Sequence, residues 1–268
     1  MLTSSRADSL LALDYDGTLA PIVLDPAAAR PQSGARAALA AAAGVFGRVA
    51  LVSGRAASSL VELLDLTARD APAVTVIGVH GRESWPPEPT NFGLRPRPSD
   101  APEGRRHTQK MERALVELEA LVASLPAGVR IEDKGHSLGV HFRGCADAAA
   151  AAVDSTAAVR AVAQRCGLEV LPGRLVLELL EPGPDKGTAL RDLVGDARAV
   201  CFVGDDVADL AAFAVVDQLR AAGVPGLKVA VANPESPAPA VAADLVLADP
   251  GAVVNFLTAI TGGTSRDC

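Results

Sequence analysis

Leu10-Leu11-Ala12-Leu13-Asp14-Tyr15-Asp16-Gly17-Thr18 is the stretch that decides the fold. A short apolar run stops at two aspartates and an Asp-Gly pair. That reads as a buried strand followed by a tight turn. The flanking sequence repeats the theme. Gly34–Ala43 reads as a helix, and Val49–Val52 as a buried strand closed by Ser53-Gly54-Arg55. Ala57–Leu66 reads as a helix and Val74–Val79 as a third strand. Far downstream the pattern resumes with a helix over Lys186–Leu193 and a strand over Ala199–Val203 that ends at Gly204-Asp205-Asp206. Strands over Lys228–Val231 and Ala243–Leu247 and a helix over Gly251–Thr261 complete it. Strands alternating with helices predict a parallel sheet in an α/β domain.

The intervening segment follows another rule. Six prolines lie between Pro86 and Pro102, a density that no packed element survives, so a linker or long loop is expected there. Met111, Leu115, Leu118, Val122 and Leu125 then recur at helical spacing. A hairpin follows, Arg130–Lys134 turning at Gly135 into Ser137–Arg143, and then an alanine-rich helix over Asp147–Arg165. A second hairpin runs from Leu168–Leu171 through Pro172-Gly173 to Leu175–Leu180. Helix–hairpin–helix–hairpin is an α+β insert with an antiparallel sheet. The expected domains are a core of 1–81 with 182–268, and an insert of 82–181. Alternation puts Leu138, Val140 and Phe142 on one face of the insert's sheet, with Leu177 and Leu179 on the apolar side. The other face carries Glu132, Lys134, His141, Arg143 and Glu178. It is either a solvated surface or a binding surface.

Composition narrows the function. The chain has 268 residues, a net charge of −7 and a pI near 5.1. An acidic chain without a basic run is not built for nucleic acid or anionic membranes. Aromatics make up only 3%, too few for a base-stacking platform. No uncharged apolar stretch reaches membrane-spanning length. Met1–Ser9 is polar and Leu10–Leu13 is too short for a signal core, so a cytoplasmic location is expected. Cys145, Cys166, Cys201 and Cys268 are scattered without metal or disulfide spacing, and free thiols are expected.

The acidic residues at strand ends carry the chemistry. Asp14 and Asp16 follow the first strand, where open α/β sheets bind ligands. Two carboxylates there can divide labour, one attacking as nucleophile and the other moving protons. Asp205, Asp206 and Asp209 follow another apolar strand. Were both strands central, the two clusters would meet, and a hard cation such as Mg²⁺ would join them. Lys186 opens a helix and could balance the charge and hold a phosphoryl group. Ser53 could donate to a phosphate oxygen. Each residue alone has a plainer reading: a turn, a helix cap, a surface lysine. Their joint placement at strand ends and helix starts favours chemistry.

Leu13-Asp14-Tyr15-Asp16-Gly17-Thr18-Leu19, Ser53-Gly54-Arg55, Lys186-Gly187 and Gly204-Asp205-Asp206 resemble the four motifs of the haloacid dehalogenase superfamily of phosphohydrolases. Within it, the resemblance narrows to the trehalose-6-phosphate phosphatase family. Asp14–Ile22, Gly78-Val79-His80-Gly81, Glu132-Asp133-Lys134, Ser137–Arg143, Gly173-Arg174 and Leu177-Glu178 carry that likeness. His80 matches too, although a structural histidine explains it equally well. The resemblance implies a Rossmann-like core with the insert as a substrate-specificity cap that closes over the substrate. It implies Asp14 as nucleophile, Asp16 as acid and base, and Thr18, Ser53 and Lys186 around the phosphoryl oxygens. Mg²⁺ would be held by Asp14, Asp16 through its backbone carbonyl, Asp205 and Asp209. The sugar would be held by Glu132, Lys134, Arg143 and Glu178. Where the family continues with Thr-Asp-Glu, this chain has Ala208-Asp209-Leu210, which alters the surroundings of the metal site. The implied reaction is hydrolysis of trehalose 6-phosphate, with a trehalose-6-phosphate synthase as partner in trans. The alternatives are another sugar phosphate such as sucrose 6-phosphate, a phosphomutase, or a regulatory subunit that binds sugar phosphate without turnover.

Overall fold

β1 (Ser9–Leu13) lies mid-sheet, parallel to β2 (Arg48–Val52) on one side and to β9 (Ala199–Gly204) on the other. The computed structural model describes residues 8–23, 28–70, 72–86, 108–135, 137–173 and 175–262. Beyond β2 come β3 (Val74–Gly78), parallel, and β4 (Glu83–Trp85), antiparallel. Beyond β9 come β10 (Gly226–Val231) and β11 (Leu245–Leu247), both parallel. The order among the described residues is β11-β10-β9-β1-β2-β3-β4.

The apolar run of β1 is continuous because both faces of the sheet are covered. Leu11 and Leu13 pack with α1 (Ala35–Ala43), α2 (Ala57–Leu63) and α8 (Pro250–Thr261). Leu10 and Ala12 pack with α5 (Lys186–Val194) and α6 (Leu210–Ala221). Strand order runs outward from β1 through β2 and β3, then restarts on its other side with β9. The reversal falls at the carboxyl ends of β1 and β9, where α/β sheets open a crevice.

The described residues between 108 and 183 form a separate compact unit, and those before 99 and from 184 onward form the other. In the inserted unit, β5 (Arg130–Asp133), β6 (Ser137–His141), β8 (Val176–Leu180) and β7 (Glu169–Gly173) make an antiparallel sheet in that order. α3 (Gln109–Val122) and α4 (Ala148–Cys166) cover one face, burying Met111, Leu118, Val159 and Val162 against Leu138, Val140, Leu177 and Leu179. Thr108 and Asp147 cap these helices by accepting from the Met111 and Ala150 amides at 3.4 and 3.0 Å.

Several expectations change. The insert was expected from residue 82, but Glu83–Trp85 pairs with β3 as an edge of the first sheet. Pro172-Gly173 is the end of β7 rather than the turn. Gly173 pairs with Val176, and the reversal passes through Leu175 at φ 51°. Leu210–Ala221 and Ala238–Ala242 (α7) are helices that apolar periodicity did not mark. In α6 apolar residues occupy nearly every position, so no stripe stands out. The proline-rich expectation lies outside the described residues apart from Pro86, as do Arg174, Cys268 and Met1–Ala7. No helix among the described residues is long and apolar enough to cross a membrane. Cys145, Cys166 and Cys201 are free thiols.

Candidate active site

The chain leaves β1 in a turn tied by its own backbone. The Gly17 amide donates to Ala20 O at 2.8 Å, and the Leu19 amide to Tyr15 O at 2.8 Å. Gly17 sits at φ 77°, and a Cβ there would lie 2.1 Å from Asp205 Oδ2. The residue must therefore be glycine for both backbone and space. The Asp14 amide donates to Val203 O at 2.9 Å, which seats Asp14 beside the end of β9.

Two distant acidic clusters meet here. Oxygens of Asp14, Asp205 and Asp209, all buried, lie within 4.8 Å of one another. Lys186, in the first turn of α5, reaches in between them. Its Nζ is 3.0 Å from Asp14 Oδ2 and 2.7 Å from Asp209 Oδ1. Asp185 caps that helix, accepting from the Thr188 amide at 2.6 Å. Asp209 is fully engaged, since its Oδ2 accepts from the Asp205 and Asp206 amides, each at 3.0 Å. Asn233 Nδ2 donates to Asp205 Oδ2 at 3.0 Å. Asp205 Oδ1 and the Thr18 hydroxyl, both buried, have no hydrogen-bond partner among the described residues.

Burial dominates the electrostatics. It pushes Asp14 up to about 7, with Asp209 and Asp16 adding repulsion and Lys186 opposing. It pushes Asp205 up to about 9, reinforced by Asp14 and Asp209. Burial alone would lower the Lys186 ammonium, but the Asp14 and Asp209 carboxylates outweigh it and raise it. One lysine thus serves three close carboxylates. A divalent cation would restore the balance, and the unpartnered Asp205 Oδ1 is a fitting ligand atom.

Asp16 points elsewhere. Arg55 Nε and an Arg55 terminal nitrogen each donate to its carboxylate at 2.7 Å, a bidentate pair. The Arg55 guanidinium also lies 5.3 Å from the centre of the Tyr15 ring. Ser53 is buried at the end of β2, and its hydroxyl accepts from the Arg55 amide at 3.2 Å. The His80 amide donates to Ser53 O at 3.0 Å, so the turn after β3 is fastened to the turn after β2. Arg55 and Asn233 were not marked from sequence. Each lies just past the end of a parallel strand, the placement that did mark Asp14 and Asp205.

In the inserted unit the uncovered sheet face gathers the expected polar residues. Lys134 Nζ donates to Glu178 Oε1 at 3.1 Å and lies 4.0 Å from Glu132 Oε2. His141 Nε2 is 2.7 Å from Glu132 Oε2. The Ser137 hydroxyl donates to Glu178 Oε1 at 2.5 Å, a partner not singled out from sequence. Arg143 lies two residues past the end of β6.

Comparison with known proteins agrees with this architecture. The model of the trehalose-phosphatase family matches residues 12–250. A trehalose-phosphate phosphatase of Mycobacterium marinum is 34% identical over 252 residues, covering 91% of this chain and 59% of its own length. That of Mycobacterium leprae is 34% identical over 257 residues, covering 91% and 55%. The chain thus spans a little over half the length of these relatives. Among solved structures, the C-terminal domain of Candida albicans trehalose-6-phosphate phosphatase superimposes with a TM-score of 0.75 at 21% identity, covering 97% of this chain and 93% of that one. A haloacid dehalogenase-like hydrolase of Bacteroides thetaiotaomicron gives a TM-score of 0.56 at 16% identity, covering 94% and 99%.

Proposed function

From the chain's membership of the trehalose-phosphatase family, which the match over residues 12–250 establishes, we propose that it hydrolyses trehalose 6-phosphate to trehalose and phosphate. One observation carries the chemistry: buried Asp14, paired with Lys186, beside Asp205 Oδ1 and the Thr18 hydroxyl, neither of which has a hydrogen-bond partner among the described residues.

In this reading Asp14 attacks phosphorus. A bond forms between its carboxylate oxygen and phosphorus as the bond from phosphorus to the sugar oxygen breaks. Asp16 gives its proton to the departing sugar oxygen. It then takes a proton from the water that attacks the aspartyl-phosphate, releasing phosphate and restoring Asp14. Lys186 neutralises Asp14 and the incoming phosphoryl charge, and Thr18 and Ser53 donate to phosphoryl oxygens. Arg55 holds Asp16 by both oxygens in this structure; in the acid step one oxygen stays on Arg55, which sets its direction, and the other leaves the pair to carry the proton. Mg²⁺ is the ion this donor set fits, through Asp14, Asp205 and the backbone carbonyl of Asp16. When bound, it supplies charge neutralisation at the phosphoryl group. Asp209 positions Lys186 and the Asp205–Asp206 turn, and from the same cluster it orients water on the ion.

The polar face of the inserted unit is the proposed sugar-recognition surface. Glu132 and Glu178 accept from sugar hydroxyls, and Lys134 and Arg143 donate. A synthase in trans is the proposed source of substrate, and the cytoplasm the proposed compartment. The test is phosphate release from trehalose 6-phosphate, sucrose 6-phosphate and glucose 6-phosphate, with and without Mg²⁺. Mg²⁺-dependent preference for trehalose 6-phosphate is expected. Preference for another sugar phosphate would retain the core chemistry and overturn the substrate.

A further inference from the structure

Glycine is the residue that β6 presents between the two glutamates of the polar face. Glu132 pairs with Gly139 across β5 and β6, and Gly139 pairs with Glu178 across β6 and β8. The three residues make one row perpendicular to the strands, with no side chain at its centre. His141 stands two residues along β6, on the same face. Its ring leans back over the glycine, for a Cβ at position 139 would lie 2.8 Å from His141 Nε2 and 3.4 Å from Cδ2. In that pose Nε2 reaches Glu132 Oε2 at 2.7 Å, while Glu132 keeps 40% of its side chain exposed and His141 only 13%. The histidine's hydrogen bond, with help from the Lys134 charge and against burial, holds the Glu132 carboxyl below its ordinary range.

We infer that His141, laid across Gly139, is the positioning residue that fixes Glu132 as an acceptor for hydroxyls of the disaccharide. This rests on the trehalose 6-phosphate reading above. An exposed glutamate samples several rotamers, and each one frozen on binding costs affinity. Anchoring one oxygen leaves the other aimed and lowers that cost. Gly139 is what admits the imidazole, since any side chain at that position would meet the ring. Ser137 holds Glu178 in the same manner from two residues back along β6, by its 2.5 Å bond.

The test uses the full chain with Mg²⁺ and compares trehalose 6-phosphate with p-nitrophenyl phosphate, which has no sugar. His141→Phe keeps the ring and removes the donor. It is expected to raise KM for trehalose 6-phosphate about tenfold, the scale of one lost hydrogen bond, with kcat within about twofold and little change on the aryl phosphate. His141→Gln, which can still donate to Glu132, should recover most of the loss. Gly139→Ala, which displaces the ring, should reproduce the phenotype and serves if His141→Phe does not fold. In the double variant with Glu132→Ala, His141→Phe should add nothing, because it acts through that carboxylate. Unchanged KM, equal losses on both substrates, or multiplied losses in the double variant would each overturn the role of His141. Wild-type protein without preference for trehalose 6-phosphate would instead overturn the substrate reading, and this inference with it.

Discussion

Asp14 and Asp205 are uncomfortable neighbours without a cation, and that discomfort is measurable. Both are raised from 3.8, to about 7 and about 9, chiefly by burial. The folded state therefore binds protons that the unfolded state releases between about pH 4 and pH 9. Whatever stability these groups carry is retained at low pH and lost as pH rises through 7 and 9. A divalent cation binds the ionised forms and displaces those protons. In chelator the Tm should fall from pH 5 to pH 9, and the increment from Mg²⁺ should grow over the same range. An increment that shrinks as pH rises would contradict the cluster as a cation site. Asp14→Asn should abolish phosphate release, by more than about a thousandfold, with circular dichroism unchanged. Arg55→Ala should lower kcat about 10- to 100-fold by releasing Asp16. Arg55→Lys should rescue little, since an ammonium cannot make the bidentate pair. The aspartates and Lys186 were legible because their sequence neighbours announce strand ends and helix starts. Arg55 stands inside the second motif without a visible role, because its partner, Asp16, is on another element and sequence does not show pairing in space.

At the scale of elements, the candidate active site depends on close helix and turn approaches that only glycine permits. A Cβ on Gly187, in the first turn of α5, would meet Ala211 O of α6 at 2.6 Å. Gly187→Ala should therefore push apart the helix that carries Lys186 and the one that follows Asp209. The expected loss is about 1–3 kcal/mol in denaturant unfolding, with a larger fractional loss of activity than of stability. A variant as stable as wild type would show that the crossing has slack. Element type was readable wherever apolar residues fell in short runs or stripes, as in β1, β9 and α3. It was not readable in α6, where nearly every position is apolar. Nor was the β7–β8 reversal: Pro172-Gly173 signals a turn, but the pairing of Gly173 with Val176 carries the strand past it. β4 escaped notice because three residues beside a proline give no pattern, and its place is decided by the open edge of β3.

Across the molecule, the alternation of strands and helices was enough to foresee an α/β core interrupted by an α+β insert. The boundary of that insert was not, because composition changes at the prolines while pairing persists to Trp85. The interruption also orders events in time. Ser9 pairs with Ala199, and Lys186 reaches Asp14 from beyond the whole insert. On the ribosome, β1 emerges with its β9 edge bare and Asp14 without the ammonium that pairs with it. The inserted unit, contiguous in sequence, is complete before either arrives. Pairings this distant close slowly, so the β9 edge of β1 stays unpaired until the chain has been made as far as Ala199. The ordering that keeps the acid cluster from assembling before its lysine also leaves one apolar edge of β1 open while the insert is made.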